Sequence, residues 1–558
     1  MKSIALFLAA IFFAGMAASP ADAARVCNRL FPVTVGADTL YQRYCANHDL
    51  TTNNGSISEL HIVVHGVSRT AASLTGLMIP DINGGVARRM NTIAIVAPQY
   101  IRASTSDPSD NDNGNTIVNE YDVSTGTTLD LGGVHKDNLY YGAGWWSGDL
   151  SFSGTSEGWT NAARPFRISA HEVMDRILAR AVQSWPNLRR ILIYGHSGGG
   201  RMMGLYIMSA NIPSGFPEEN VFFGIANPTS SAYFDRGRPT APLAVPPVFV
   251  TPTSALCDGL VAQGGSTDPG NFGGYDDFTA AIIDDSPADG VCDDCNPHFA
   301  QYSPAELKAR FLRRNYIRQI GLNDNDATDS SMGADCANHL QGDHRLARAE
   351  AYSEHVINYF GWEKWVKSYE MLYVPGVAHS GTGLWRSTCG RYATLGLNAN
   401  SAAPNGGTCA SPYVFYDSFD NGMGLWTLSG SGTVATSTQR RVKTAYAARF
   451  LGAQSRTITS PLIEQAGSYT ISWAWRIGSR LKAGDTIVAQ RSINGGTWTE
   501  MARLTGDSDK ENVWHFNGRT LAASTSIRIR FIVTVSAGAD RDVWLDEVRI
   551  VRRLGIPQ

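Results

Sequence analysis

Beyond its first two dozen residues the chain has no apolar run long enough to cross a bilayer. It has no marked excess of either charge, since 47 basic and 50 acidic residues leave a net −3 spread along its length. That balance gives no electrostatic reason for a nucleic-acid or anionic-membrane partner. Cysteine is absent after Cys409. Cys292-Asp293-Asp294-Cys295 has no second Cys/His pair at matching spacing, which argues against zinc. The Asp/Asn-rich stretch from Asp107 to Asp112 lacks regular ligand spacing and reads as a solvated loop, not a calcium site. No metal and no cofactor is expected.

What is present begins with an export signal. Lys2 supplies the charged start, Ile4 to Met16 the apolar centre, and Ala21-Asp22-Ala23 a small-residue cleavage site before Ala24. The apolar stretch is short and no basic stop-transfer flank follows, so residues 1–23 read as a removed signal peptide and the protein as secreted, extracellular or periplasmic. All eight cysteines lie in the exported part, and an even count in an oxidising compartment favours structural disulfides.

A chain of 558 residues exceeds one hydrophobic core. Residues 24–410 alternate β-rich runs with helical patterns, which predicts an α/β fold with a mostly parallel sheet. Strands are expected at Leu60–Val64, Ile93–Val96, Ile191–Tyr194, Val221–Ile225, Val248–Val250, Tyr316–Ile320 and Met371–Val374. Ser169 and Glu172 have capping-box spacing before a helix whose apolar stripe is Val173, Ile177, Leu178, Ala181 and Val182. Helical periodicity then disappears. Residues 411–558 alternate as short strands with an Asn494-Gly495-Gly496 hairpin turn, the pattern of a separate β-sandwich. Ala402 to Gly407 reads as the linker.

The strand Ile191–Tyr194 runs directly into Gly195-His196-Ser197-Gly198-Gly199. A buried strand ending in Gly-x-Ser-x-Gly and entering a helix is the sequence form of a nucleophile elbow. Such a serine needs an acid and then a histidine, each beyond a later strand. Tyr316–Ile320 leads to Asp324, and Met371–Val374 leads to His379. The expected assignment is therefore Ser197 as nucleophile, His379 as base and Asp324 as the orienting acid, with Asp326 and Asp329 close enough to serve instead. Backbone N–H groups of Gly198 and Val67 (or Ser68) are expected to form the oxyanion pocket. His65 reads as a structural hydrogen bonder supporting that loop, and His196 as a neighbour packing away from the chemistry. The run Gly198-Gly199-Gly200 suggests a flexible helix start. Trp145 and Trp146 sit in an aromatic-rich stretch and are candidates for the substrate cleft, or for plain core.

With these residues in hand the resemblance is clear. His65-Gly66, Ala97-Pro98, Gly195 to Gly199, Asn227-Pro228, Gly321 to Asp324 and Pro375-Gly376 to His379 fall in the order used by the α/β-hydrolase superfamily. Residues 24 to about 400 resemble its secreted serine esterases, and Gln341 to Arg348 resembles a segment of extracellular hydrolases of this type. The carboxyl-terminal part is similar to jelly-roll and MAM-like modules through Ser418-Phe419-Asp420 to Trp426 and Trp544 to Val548. The resemblance implies hydrolysis of carboxylic esters through an acyl-enzyme. An alternative is an extracellular polyester depolymerase, with the β-domain attaching it to a polymer or glycan surface. A third reading, from another class, is an inert binding or adhesion protein.

Overall fold

In the computed structural model the described residues are 26–67, 71, 91–102, 119–122, 127–130, 138–151, 164–241, 244, 247–253, 297–329, 332, 336–395, 413–442, 445–478, 481–505, 513–536 and 542–553. The signal segment, Ser68, Asp107 to Asp112, Cys292, Cys295 and the Ala402 to Gly407 linker lie outside them. Among the described residues no helix is long and apolar enough to cross a membrane.

The first sheet has eight strands: β1 (Val26–Val35), β2 (Asp38–Ala46), β3 (Glu59–Val64), β4 (Ile93–Pro98), β5 (Arg190–His196), β6 (Val221–Ala226), β7 (Asn315–Gly321) and β8 (Tyr369–Val374). Their spatial order is β1-β2-β4-β3-β5-β6-β7-β8. The β1–β2 and β2–β4 pairs are antiparallel, and all pairs from β4 to β8 are parallel. β4 is buried at every residue, as expected of a parallel strand covered on both faces. This is the α/β-hydrolase arrangement.

The β1–β2 hairpin was not among the expected strands. It turns at Gly36, whose φ of +61° suits glycine, and a disulfide between Cys27 and Cys45 ties its strands together. Cys389 is also disulfide-bonded. Val248–Val250 does not join the main sheet; Phe249–Val250 instead pairs with Arg238–Pro239 in a small ribbon.

Five helices matter for the site: α1 (Ala170–Ser184), α2 (Gly198–Ser209), α3 (Pro304–Arg313), α4 (Arg345–Phe360) and α5 (Trp362–Ser368). At α1 the capping expectation holds only in part. The Ser169 hydroxyl accepts from the His171 N–H at 3.1 Å, while the Glu172 carboxylate turns to Arg176 one turn on. A guanidinium four residues away competes for the carboxylate that a capping box would use.

The second unit is a nearly closed antiparallel β-sandwich of β9 (Tyr413–Asp417), β10 (Thr427–Ser437), β11 (Ala447–Thr459), β12 (Gly467–Ile477), β13 (Thr486–Ile493), β14 (Thr499–Thr505), β15 (Trp514–Ser524), β16 (Ile527–Val535) and β17 (Val543–Arg553). Positive φ at Asn494 and Gly495 makes the expected hairpin turn between β13 and β14. Trp473, Trp475 and Phe531 centre its own core. β16 alternates buried with more open residues, whereas β12 is buried on both faces.

Candidate active site

The site stands at the carboxyl ends of β3, β5, β6, β7 and β8. Ser197 follows β5 with φ +57° and ψ −118°, a conformation a non-glycine residue adopts only when its surroundings enforce it. The enforcement is close packing. A Cβ on Gly195 would lie 2.1 Å from the Gly199 carbonyl oxygen, and one on Gly199 would lie 2.4 Å from the Val64 oxygen. Gly200 is similarly confined, 2.6 Å from the Ala226 oxygen. The glycine run is therefore wedged between strands. It does not give the loose helix start expected from composition.

His379 lies five residues beyond β8. Its Nε2 is 2.9 Å from the Ser197 hydroxyl, and its Nδ1 is 2.9 Å from Asp324 Oδ2. Ser197 and Asp324 are buried, and His379 is partly open to solvent. With Nδ1–H donating to the carboxylate, Nε2 is left as the acceptor facing the hydroxyl. A hydroxyl, an imidazole and a carboxylate in this line can pass the hydroxyl proton to the ring.

The alternative acids are placed elsewhere. Asp326 caps its own turn by accepting from the Thr328 N–H and hydroxyl at 2.8 and 2.7 Å. Asp329 pairs with Arg345 at 2.7 Å.

Two positioning groups were missed in the sequence. Arg345, at the start of α4 and fully buried, donates from Nη1 to Asp324 Oδ1 at 3.0 Å, so each Asp324 oxygen has its own donor. The Leu346 N–H also donates to the Asp324 carbonyl at 3.1 Å. Asn227, just after β6, accepts from the Gly321 N–H at 2.9 Å and donates to the Ala378 carbonyl at 3.0 Å. Its φ of 42° is one that asparagine tolerates better than most residues. One buried amide thus fastens the end of β7 to the loop that carries His379. The only sequence signals were the Asn227-Pro228 and Gln341 to Arg348 segments.

His196 does not pack away from the site. Its ring centroid lies 4.8 Å from that of His379, and its Nε2 is buried without a hydrogen-bond partner. Burial, with the neighbouring His379 and Arg345 adding to it, pushes the His196 imidazole down to about 3, so it stays neutral.

On the other side of Ser197, His65 is buried. Its Nε2 accepts from the Tyr100 N–H at 3.1 Å, and its Nδ1, left with the proton, donates to the Gly66 carbonyl at 2.8 Å. This matches the expected structural role. Val67 follows, with its side chain exposed and its amide nitrogen 3.4 Å from the position a Cβ on Gly198 would occupy. Trp145 is buried, stacked on Tyr100 at 5.0 Å, with its ring edge 3.7 Å from that same Gly198 position. Trp146 is half-buried under the Arg201 guanidinium at 3.5 Å. Among the described residues no three His, Cys, Asp or Glu side chains converge as metal ligands.

Comparisons with known proteins add likenesses of fold. No family model and no curated protein matches the chain. The structure is similar to poly(aspartic acid) hydrolase-1 from Sphingomonas sp. KT-1, 17% identical, covering 64% of this chain and 94% of that one, with a TM-score of 0.36. It is also similar to a poly(3-hydroxybutyrate) depolymerase from Bordetella parapertussis, 15% identical, covering 67% of this chain and 92% of that one, with a TM-score of 0.34. A C-terminal family 22 carbohydrate binding module of Clostridium thermocellum Xyn10B is 14% identical, covering 26% of this chain and 99% of that module, with a TM-score of 0.21. Nothing about this chain's substrate follows from likenesses at that level.

Proposed function

We propose that the protein is a serine hydrolase that cleaves carboxylic esters through an acyl-enzyme on Ser197. The observation that carries the reading is the line from the Ser197 hydroxyl through His379 to Asp324, with 2.9 Å at each step. As the hydroxyl oxygen bonds to the ester carbonyl carbon, its proton moves to His379 Nε2, and Asp324 stabilises the imidazolium. The tetrahedral oxyanion is held by the N–H groups of Gly198 and Val67, with the amino-terminal end of α2 adding its favourable dipole. Collapse expels the alcohol, which takes the proton from Nε2. Water then repeats the sequence and releases the acid.

The test is turnover of short-chain p-nitrophenyl esters together with labelling by a fluorophosphonate. The parent protein turns over and labels, and Ser197→Ala does neither while keeping its fold. Full activity in that variant removes the proposal, and a parent protein that neither labels nor turns over favours the inert binding reading.

One observation favours a polymeric ester. Leu425, Leu428 and Leu462 are exposed around one end of the β10–β11 pair, where Leu428 stands opposite Ile458. Exposed apolar side chains at neighbouring strand ends of a secreted module suit contact with an insoluble surface. Release of soluble products from a polyester film, reduced by Leu425→Asp with Leu428→Asp while small-ester turnover is unchanged, separates this reading from the small-ester one.

A further inference from the structure

Helix α4 carries Glu350 and Glu354 four residues apart, on one face, and both are buried. Two carboxylates so placed repel each other, and taking each out of water is unfavourable unless a cation and hydrogen bonds meet them. The cation comes from the sandwich. Arg553, at the end of β17 and itself buried, donates from Nε to Glu350 Oε2 at 2.9 Å and from Nη1 to Glu354 Oε1 at 2.6 Å. Thr520 of β15 adds a hydroxyl to Glu354 Oε1 at 3.0 Å. The other oxygen of Glu350 accepts from the hydroxyl of Tyr373, in β8.

Around this clamp the two units interlock. The Trp362 ring of α5 lies so close over Gly518 that a Cβ there would meet it at 2.4 Å. Lys367 sits 4.8 Å above the Phe516 ring, and Val551 of β17 belongs to the same apolar cluster as the hydrolase core. The same helix reaches the site twice. Its first turn holds Asp324 through Arg345, and Glu350 holds Tyr373, one residue from the end of the strand that leads to His379.

We infer that the β-sandwich is an integral half of the catalytic unit, docked on α4, and that Arg553 is a positioning residue acting through Glu350 and Tyr373 on the strand that carries His379. A freely tethered module would leave Glu350 and Glu354 without their cation. The docking part stands on the contacts alone; the positioning part rests on the function proposed above.

The test uses the full chain with a protease recognition sequence inserted between Cys409 and Tyr413, so that every cysteine stays on the amino-terminal side of the cut and no disulfide can join the fragments. After cutting, the two fragments are expected to co-elute at the size of the uncut protein, with ester turnover within twofold of it. Fragments that separate under native conditions, with turnover kept in the amino-terminal one, overturn the docking. For positioning, Arg553→Met is compared with Arg553→Lys in the uncut chain. Arg553→Met is expected to lower kcat tenfold or more with KM within twofold, and Arg553→Lys to restore part of it. The low-field imidazole proton resonance of His379 should shift or vanish in Arg553→Met, which reads the His379–Asp324 bond without turnover. An unchanged resonance and an unchanged kcat overturn the positioning role. If Arg553→Met does not fold, the cut protein still decides the docking, and Arg553→Lys is read for positioning by the same two signals. Co-eluting fragments with no ester turnover in any form, the uncut protein included, would instead count against the proposed activity.

Discussion

Asp324→Asn tests the site through the orientation of a single amide. In the parent protein Asp324 Oδ1 accepts from Arg345 and Oδ2 faces His379 Nδ1. A guanidinium can only donate, so the new side chain must turn its oxygen toward Arg345 and its NH2 toward the imidazole. Nδ1 then becomes the acceptor, and the ring proton moves to Nε2, facing Ser197, where it blocks proton removal. Holding a triad histidine in the wrong tautomer costs about 10⁴ in kcat, or about 5.4 kcal/mol in the barrier. Flipping the amide to escape would lose a hydrogen bond to a charged group, worth about 1.5–3 kcal/mol. That constraint is absent when Arg345→Met and Asp329→Asn remove the cation and its second partner. In this background the penalty of Asp324→Asn should shrink by about 10- to 100-fold. The assay is kcat on a p-nitrophenyl ester in all four proteins, with thermal melts to establish folding. A single variant within tenfold of the parent, or the same penalty in both backgrounds, would refute the reasoning.

Asn227→Ala removes the link between the Gly321 N–H and the Ala378 carbonyl, leaving two buried backbone groups unsatisfied. A stability loss of about 2–4 kcal/mol is expected by denaturant titration, with kcat falling as the His379 loop loosens. Gly199→Ala forces a Cβ between the Val64 and His65 carbonyl oxygens, at 2.4 and 2.5 Å, so strands and helix must part. A cost of about 3 kcal/mol or more should appear as a lower melting temperature. His196 stays neutral in the folded chain down to about pH 3, against an ordinary 6.5 when unfolded. Between those values only the unfolded chain binds the proton, so this group makes stability fall by about 1.4 kcal/mol per unit of acidification. Buried His171, His298 and His355 are shifted the same way, so denaturant titrations at pH 4 and 7 should show a slope smaller by about that amount in His196→Asn than in the parent protein.

The elbow was legible because its signal is local. An apolar run, three glycines and a serine fall within nine consecutive residues, and the backbone strain follows from them directly. Strand ends followed by Asp324 and His379 were legible for the same reason. Asp326 and Asp329 stayed open beside Asp324 because all three share one loop and the partners of Asp324 and Asp329 come from elsewhere. Arg345 meets Asp324 across 21 residues, and Asn227 reaches the Ala378 carbonyl across 151. His196 is the last residue of β5, immediately before the elbow, and residue type alone does not disclose which way its ring faces. The β1–β2 hairpin was missed since it buries Gln42 and Arg43, polar residues that interrupt a strand pattern. Nothing local to Glu350 and Glu354 signals their burial, because their cation, Arg553, comes from about two hundred residues later.

The residue that immediately precedes α2 is also the one whose hydroxyl points at His379. In most helices a serine at that place would turn inward and accept from the first amides. Here no side chain does so, and the chain enters the helix through a left-handed residue. The opening turn is therefore held by the strands around it, and its N–H groups remain free to receive negative charge arriving from outside. Chemical readiness and local stability are in opposition at this one position, and a glycine there should give a sturdier protein with no nucleophile.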